Sequence, residues 1–244
     1  MLGSTHALTG WCAGLALAPL LGAHGLGQAV TVAAVTAGSA LLPDLDHPGS
    51  RASRFAAPVT RLLSRIVQGL SGLAYRATRG PRDEDLDGTH RHLTHTLAFA
   101  ILVGAATTWW VSSSGTWAAV VVLAVAVLLA VDALGDWVAA AVVTVWLVWV
   151  GRGDPGAELA AITGWLGIAV GVGCLVHCLG DAMTISGCPI LWPVPILGET
   201  WYELGPPPWW RFRTGGRVEL WVVWPVCVVA AVLLLPGVWP WITR

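Results

Sequence analysis

Long apolar runs alternate with short stretches of glycine, proline and charged residues along the whole chain. A run of about 20 such residues is long enough for a helix to cross the hydrocarbon core of a bilayer. The stretch 116–150 is too long for one span, and Asp132, Gly135 and Asp136 divide it into two helices. Seven spans are predicted, at 7–22, 26–42, 94–111, two within 116–150, 157–179 and 218–241. The predicted fold class is therefore all-α, a polytopic integral membrane helical bundle.

Two segments depart from this pattern. In 59–76, apolar residues recur at helical spacing while the arginines lie off that stripe, which predicts an amphipathic interfacial helix on the bilayer surface. The segment 182–217 is rich in proline, glycine and tryptophan, which predicts a non-helical loop at the interface or folded back into the bundle. The expected organisation is a single membrane-embedded domain over 1–244, with an interfacial loop at 48–94.

The composition excludes an ordinary water-soluble domain. Hydrophobic residues make up 56% of the chain, charged residues only 11%, and the mean hydropathy is +0.71. A typical globular domain carries about 25% charged residues. The five cysteines include no CxxC pair, so neither a zinc ribbon nor a redox pair is indicated. The lipid bilayer is thus the first expected partner.

The distribution of arginine predicts the orientation. All 13 basic residues are arginine, and eight of them lie in 48–94. If this loop is cytoplasmic, alternation puts 211–217 on the same side, and eleven arginines are then cytoplasmic, as the positive-inside rule favours. The N-terminus is predicted inside. The arginine cluster lies between spans rather than on a broad basic surface, so no nucleic acid partner is expected.

Histidine and aspartate occur in four groups at the ends of predicted spans. They are costly in a membrane and usually mark function there. The four groups are His6; Asp44, Asp46 and His47; His90, His92, Thr94 and His95; and His177 with Asp181. The alternation of spans places all four groups at the same, cytoplasmic face, although none of these residues was used to derive it.

Taken singly, each group fits a solvated residue or an ordinary helix end. Taken together, they form a set of nitrogen and oxygen ligands without a thiolate, which suits Zn²⁺, with Mn²⁺ or Fe as alternatives, better than Mg²⁺. The candidates outnumber the three or four ligands that one catalytic zinc needs. One ion or a two-metal centre is therefore expected, the latter with Asp44 or Asp46 bridging.

Four of the histidines and aspartates in the chain are expected to take no part in the site. Asp132 and Asp136 are predicted to be turn residues. His24 lies in a loop at the opposite face, and His92 alternates away from His90 and His95.

Several of these segments resemble the YdjM-type inner-membrane proteins, a family described as membrane-bound metal-dependent hydrolases. The resemblance covers most of the chain and is carried by 41–48 (LLPDLDHP), 90–97 (HRHLTHTL), 177–184 (HCLGDAMT) and 187–193 (GCPILWP). His6 and the late segment of Arg213, Thr214, Gly215 and Glu219 are similar as well. The family usually has glycine at the position of His92 and serine at that of Thr96.

The resemblance implies a location in the bacterial inner membrane and a hydrolase that uses a metal-activated water. It implies these metal ligands: His6, Asp44, Asp46, His90, His95, His177 and Asp181. Asp46, His95, Arg91 and Thr94 are the expected catalytic residues, with Thr94 as a helix N-cap. Arg91 and Arg213 are expected to hold an anionic substrate group, since guanidinium forks match phosphate oxygens. The cytoplasmic interface favours a phospholipid or another lipid-borne ester as substrate.

Other classes of function remain open from the sequence. Histidine and aspartate within spans also line ion paths, as in a metal transporter, and a metal with no open coordination position would be structural. A phosphohistidine lipid phosphatase is set aside. It needs a Ser-Arg pair where this chain has Gly171 and Val172, and a lysine that the chain lacks.

Overall fold

The computed structural model describes residues 1–238, which form helices and loops with no β-strand among them. In chain order the helices are α1 (Gly3–Leu17), α2 (Leu26–Ser39), α3 (Arg51–Arg54), α4 (Val59–Thr78), α5 (Leu97–Ser114), α6 (Thr116–Leu134), α7 (Asp136–Gly151), α8 (Pro155–Thr163), α9 (Leu166–Ala182) and α10 (Trp224–Leu233). The all-α fold class is confirmed for this part of the chain. The end of the seventh predicted run, 239–241, lies outside the described residues.

Three of these helical segments are long and apolar enough to cross a membrane: Leu26–Asp46, Leu97–Ser114 and Thr116–Leu134. The pair α8 and α9 qualifies together as a fourth, bent by 56°. α7 and the stretch Glu219–Leu233 are apolar but shorter. Within residues 1–238, three to four candidate spans are thus confirmed, and the full count of seven stays a prediction.

Helix α2 lies at the centre of the bundle and is buried on almost every side. Both α1 and α9 approach it closely through glycine. A Cβ on Gly10 of α1 would lie 2.7 Å from the carbonyl oxygen of Thr36, and one on Gly173 of α9 would lie 2.6 Å from the same oxygen. Small residues at helix crossings allow this close approach. The contacts bring the ends of α1 and α9 that carry His6 and His177 to the C-terminal end of α2.

The division of 116–150 into two helices is confirmed. α6 ends at Leu134, and Gly135 adopts φ 100°, a conformation that favours glycine, before α7 begins at Asp136. Asp132 accepts a hydrogen bond from Arg51 at 3.1 Å on the surface of the protein. Asp132 and Asp136 are helical residues that flank the turn at Gly135, so their prediction as turn residues is wrong, and neither belongs to a group that could hold a metal ion.

Helix α4 confirms the predicted amphipathic helix, and its apolar face points away from the protein. Ser71, Gly72 and Tyr75 are buried against the bundle, whereas Leu62 and Leu73 are 61% and 58% exposed. The polar face packs on the turns that precede α3 and α5. None of the described residues covers this apolar stripe, which is typical of a surface that contacts a membrane or a partner protein.

The loop 182–217 contains only short turns and isolated backbone bridges, which agrees with the predicted non-helical loop. It folds back onto the bundle. The backbone amide of Leu97 donates to the carbonyl of Ile190, and the indole groups of Trp192 and Trp201 both donate to the hydroxyl of Thr78. The loop therefore covers the start of α5, where the predicted site lies.

Candidate metal centre

Four separate elements bring the predicted site residues to one end of the bundle. His6 is the fourth residue of α1, and Asp44 lies in the 3₁₀ turn Pro43–Asp46 that follows α2. His95 ends the 3₁₀ turn Leu93–His95 before α5. His177 and Asp181, four residues apart, share one face of α9. We call these five residues the inner cluster.

The inner cluster contains two groups that could hold a metal ion. One consists of His6, His177 and Asp181, the other of Asp44, His95 and His177, and the ligand atoms within each group lie within 4.8 Å of one another. His177 belongs to both groups. Its Nδ1 lies 2.7 Å from the carbonyl oxygen of Ala40 and donates to it, so only Nε2 is left for a metal. One ion in either group is therefore possible, or two ions of which His177 binds one.

Hydrogen bonds determine which nitrogen of His95 faces the cluster. The hydroxyl of Thr94 lies 2.7 Å from Oδ2 of Asp46, which can only accept, so the hydroxyl donates to it. The same hydroxyl lies 2.9 Å from Nδ1 of His95 and accepts a hydrogen bond from its N–H group. Nε2 of His95 consequently carries a lone pair. Partners of this kind orient metal-binding histidines in known sites.

Four acceptor atoms converge in the centre of the cluster. Nε2 of His95 and Nε2 of His177 are 3.1 Å apart, and both carry lone pairs when the two rings are neutral. Oδ2 of Asp181 lies 3.5 Å and 3.6 Å from these two nitrogens, and Oδ1 of Asp44 lies 3.9 Å and 3.7 Å from them. Acceptors packed this closely repel one another unless a cation or a shared proton lies among them.

Two buried atoms at the cluster have no hydrogen-bond partner: Nδ1 of His6 and Oδ2 of Asp181. A guanidinium nitrogen of Arg91 lies 2.7 Å from that oxygen and balances its charge, but the contact lacks the alignment of a hydrogen bond. Leaving such atoms unpaired away from water costs about 1–3 kcal/mol each. The donor set and these unpaired atoms both fit a bound divalent cation.

Asp46 and His90, which were expected as ligands, lie outside both groups. Oδ1 of Asp46 is 2.8 Å from Nδ1 of His90. Oδ2 of Asp46 accepts hydrogen bonds from the amide of Arg91 and from the hydroxyl of Thr94. A 3₁₀ turn has three residues per turn, so the side chains of Asp44 and Asp46 project about 120° apart. We call Asp46, His90, Arg91 and Thr94 the outer network, because they contact the inner cluster from outside.

Arg91 and Arg213 differ in position. Arg91 has φ 61°, which is rare outside glycine, and Asp46 holds its amide in place. Its guanidinium is directed at Asp181, so this arginine neutralises a cluster carboxylate. Arg213 is exposed and makes no ion pair among residues 1–238. The structure therefore places only Arg91 at the cluster.

The prediction that Thr94 is the helix N-cap is wrong. Helix α5 begins at Leu97, and the hydroxyl of Thr96 accepts from the amide of Phe99. Thr96 has the extended backbone of a cap, whereas Thr94 lies inside the preceding 3₁₀ turn. This shift of two residues leaves Thr94 to link Asp46 with His95.

His92 lies away from the cluster, as predicted. Its ring packs edge-on against Tyr75 and Trp201, and its Nδ1 is 2.7 Å from the carbonyl oxygen of His90. Burial lowers the pKa of this imidazole, and the hydrogen bond to His90 opposes the shift only in part. His92 is therefore an uncharged packing residue. His24 is exposed in the loop between α1 and α2.

Two structural supports of the site were not predicted. The buried carboxylate of Glu219 accepts from the amides of Leu2 and Gly215, both at 2.7 Å, and so anchors the start of α1. The hydroxyl of Ser71 donates to the carbonyl of Gly88 and accepts from the amide of Leu93. The signal for Glu219 was present, since it is an isolated acid at the start of an apolar run. Ser71 gave no such signal.

The chain matches the family model of the YdjM inner membrane protein over residues 1–240. Comparison with curated proteins and with solved structures finds no significant match. The family description names the membrane, which agrees with the apolar helices, and it states no activity. Because the match covers nearly the whole chain, including every residue of the inner cluster, the protein belongs to the YdjM inner membrane protein family.

Proposed function

We propose that the protein is a membrane-bound metal-dependent hydrolase whose substrate is a lipid-borne or phosphate ester. The observation that carries the proposal is the convergence of two imidazole nitrogens and two carboxylate oxygens in the inner cluster. Nitrogen and oxygen donors of this kind suit Zn²⁺, with Mn²⁺ and Fe as alternatives. A divalent ion bound there would polarise a substrate oxygen and lower the pKa of a water molecule.

His90 is suited to accept a proton during hydrolysis. Asp46 accepts a hydrogen bond from Nδ1–H of this ring, which leaves Nε2 of the neutral imidazole with a lone pair. The ring of His90 is 37% exposed, whereas His95 and His177 are fully buried. A carboxylate that orients a histidine through Nδ1 and leaves Nε2 free is a recurrent arrangement for general bases. His90 acts in this proposal as a base and not as a ligand.

The location of the site supports a substrate at the membrane surface. The polar face of α4 packs against the turns that carry Asp46 and His95, while its apolar face is exposed. An amphipathic helix with this arrangement lies in the headgroup region of a bilayer. We further propose seven spans, an inner-membrane protein with its N-terminus and metal centre on the cytoplasmic side, and one domain over the whole chain. The arginine distribution supports this orientation.

Metal content, measured on the full chain purified in detergent, tests the proposal. The wild-type protein should hold one or two equivalents of Zn, Mn or Fe by plasma mass spectrometry, and His177→Ala should lose most of them. His24→Ala, an exposed histidine outside the cluster, should retain them. Ester hydrolysis by the wild type that disappears in His90→Gln while its metal stays bound would support the assigned base.

Two results would overturn the proposal. A wild-type protein that holds no transition metal after reconstitution would contradict the metal centre. Bound metal without hydrolysis of any lipid or phosphate ester would favour a structural metal, and metal flux into proteoliposomes would favour a transporter.

A further inference from the structure

The inner cluster opens to the outside at Asp44. The side chain of Asp44 is 23% exposed, whereas those of His6, His95, His177 and Asp181 are exposed by 1% or less. A molecule that reaches the cluster from outside therefore arrives beside this carboxylate.

A cavity of about 170 Å³ lies at this opening. Its polar lining residues are Asp44, Ser50, Arg51 and Arg54, and no other acidic residue lines it. Two arginines and a hydroxyl thus surround the approach to the one exposed carboxylate of the cluster.

The polar groups of the cavity are largely free to bind a ligand. Arg51 donates through Nη1 to both the carboxylate and the backbone carbonyl of Asp132, in a pair whose side chains are 46% and 43% exposed. Such surface pairs contribute little and exchange readily, and the other guanidinium nitrogens of Arg51 donate no hydrogen bond within residues 1–238. Arg54 makes one long hydrogen bond, from Nε to the carbonyl of Ser50 at 3.3 Å. The hydroxyl of Ser50 accepts from the amide of Ser53 but donates no hydrogen bond within residues 1–238.

We propose that this cavity binds the phosphoryl group of the substrate, a proposal that rests on the hydrolase function above and names its substrate class. Two guanidinium groups supply two positive charges and paired N–H donors. They match the charge and the oxygens of a phosphoryl dianion better than those of a ligand that carries a single carboxylate. The neighbouring Asp44 repels an anion while its own charge is unbalanced. Phosphoryl binding therefore requires either a cation in the inner cluster or the removal of the Asp44 charge.

The same chemistry is available from a lipid headgroup and from a soluble phosphate ester. Arg54 lies five residues before Val59, where α4 and its exposed apolar face begin. The cavity is thus close along the chain to the surface that we assign to the bilayer.

Binding of inorganic phosphate to the detergent-purified, metal-loaded full chain, measured by isothermal titration calorimetry, tests the proposal. Arg51→Gln and Arg54→Gln should each weaken phosphate binding about tenfold, because each removes a charge-assisted contact. Two controls should bind as the wild type does. Asp132→Asn removes the surface partner of Arg51 but leaves its guanidinium, and Arg152→Gln removes an exposed arginine beyond α7.

The Asp44→Asn variant separates this proposal from the metal centre. Without the carboxylate charge, the metal-free variant should bind phosphate, and Arg51→Gln or Arg54→Gln in the same chain should weaken that binding. This result would support the cavity even if the wild type held no metal. Phosphate affinity that is unchanged by both arginine substitutions, or no phosphate binding by either metal-loaded wild type or Asp44→Asn, would overturn it.

Competition distinguishes the two sources of the phosphoryl group. Displacement of phosphate by phosphatidic acid in phosphatidylcholine nanodiscs, but not by soluble glycerol phosphate, would assign the cavity to a lipid headgroup. Displacement by glycerol phosphate, but not by phosphatidic acid in the nanodiscs, would assign the cavity to a soluble ester. Nanodiscs of phosphatidylcholine alone, incubated in parallel, give the baseline.

Discussion

The inner cluster and the outer network lie side by side and both contain histidine and aspartate, yet the hydrogen bonding of their aspartates differs. In the outer network, both oxygens of Asp46 accept hydrogen bonds, from His90, Arg91 and Thr94. In the inner cluster, Asp44 accepts none among the described residues, and Oδ2 of Asp181 has none either. The difference indicates two roles. The fully hydrogen-bonded carboxylate of Asp46 orients histidines, whereas the carboxylate oxygens without hydrogen bonds are available to a cation.

The largest expected effect comes from Asp44→Asn. Because this carboxylate accepts no hydrogen bond among residues 1–238 and adds to the repulsion in the empty cluster, its substitution should not lower the melting temperature of the metal-free protein. Metal affinity should fall by about 100-fold or more, beyond the range for residues that only support a ligand. Competition with a chelator measures the affinity. Unchanged affinity would remove Asp44 from the inner cluster as a ligand.

Asp46→Asn should have a smaller effect on metal and a larger one on folding. All three partners of Asp46 donate to it, so in either orientation the amide nitrogen of the new side chain would face a donor and leave buried groups unpaired at about 1–3 kcal/mol. The metal-free protein should melt at a lower temperature, and metal affinity should fall about 10–100-fold. If Asp46→Asn weakened metal binding more than Asp44→Asn did, the assignment of the two carboxylates would be reversed.

The smallest expected effect is that of Thr94→Val. Valine has nearly the shape of threonine but lacks the hydroxyl that connects Asp46 with Nδ1 of His95. The imidazole should lose its fixed orientation, and metal affinity should fall about tenfold. Thr94→Ser retains the hydroxyl and should bind metal as the wild type does. An equal loss in both variants would contradict the proposed hydrogen-bonded link.

Much of the fold could be predicted because apolar runs and their interruptions are local features. The division at Gly135, the helix at Val59–Thr78 and the loop 182–217 all follow from such features. The number of spans was harder to predict from the sequence. The apolar run of α7, for example, forms a helix that is shorter than the usual span. The length of a helix depends on the residues at which it begins and ends. In α5 the N-cap is Thr96 and not the expected Thr94, so this helix begins later than predicted.

The sequence by itself determined that this is an all-α membrane protein and that its histidines and aspartates collect at one end of the spans. The first conclusion rests on composition and periodicity, which are local features, and the second on the alternation of direction between successive spans. Only the tertiary structure decided that Asp44 faces the cluster while Asp46 faces the next loop, and that Arg91 pairs with Asp181. These choices depend on the direction of side chains from four elements distant in sequence, and the glycine-mediated packing of α1 and α9 on α2 brings two of those elements to the end of α2.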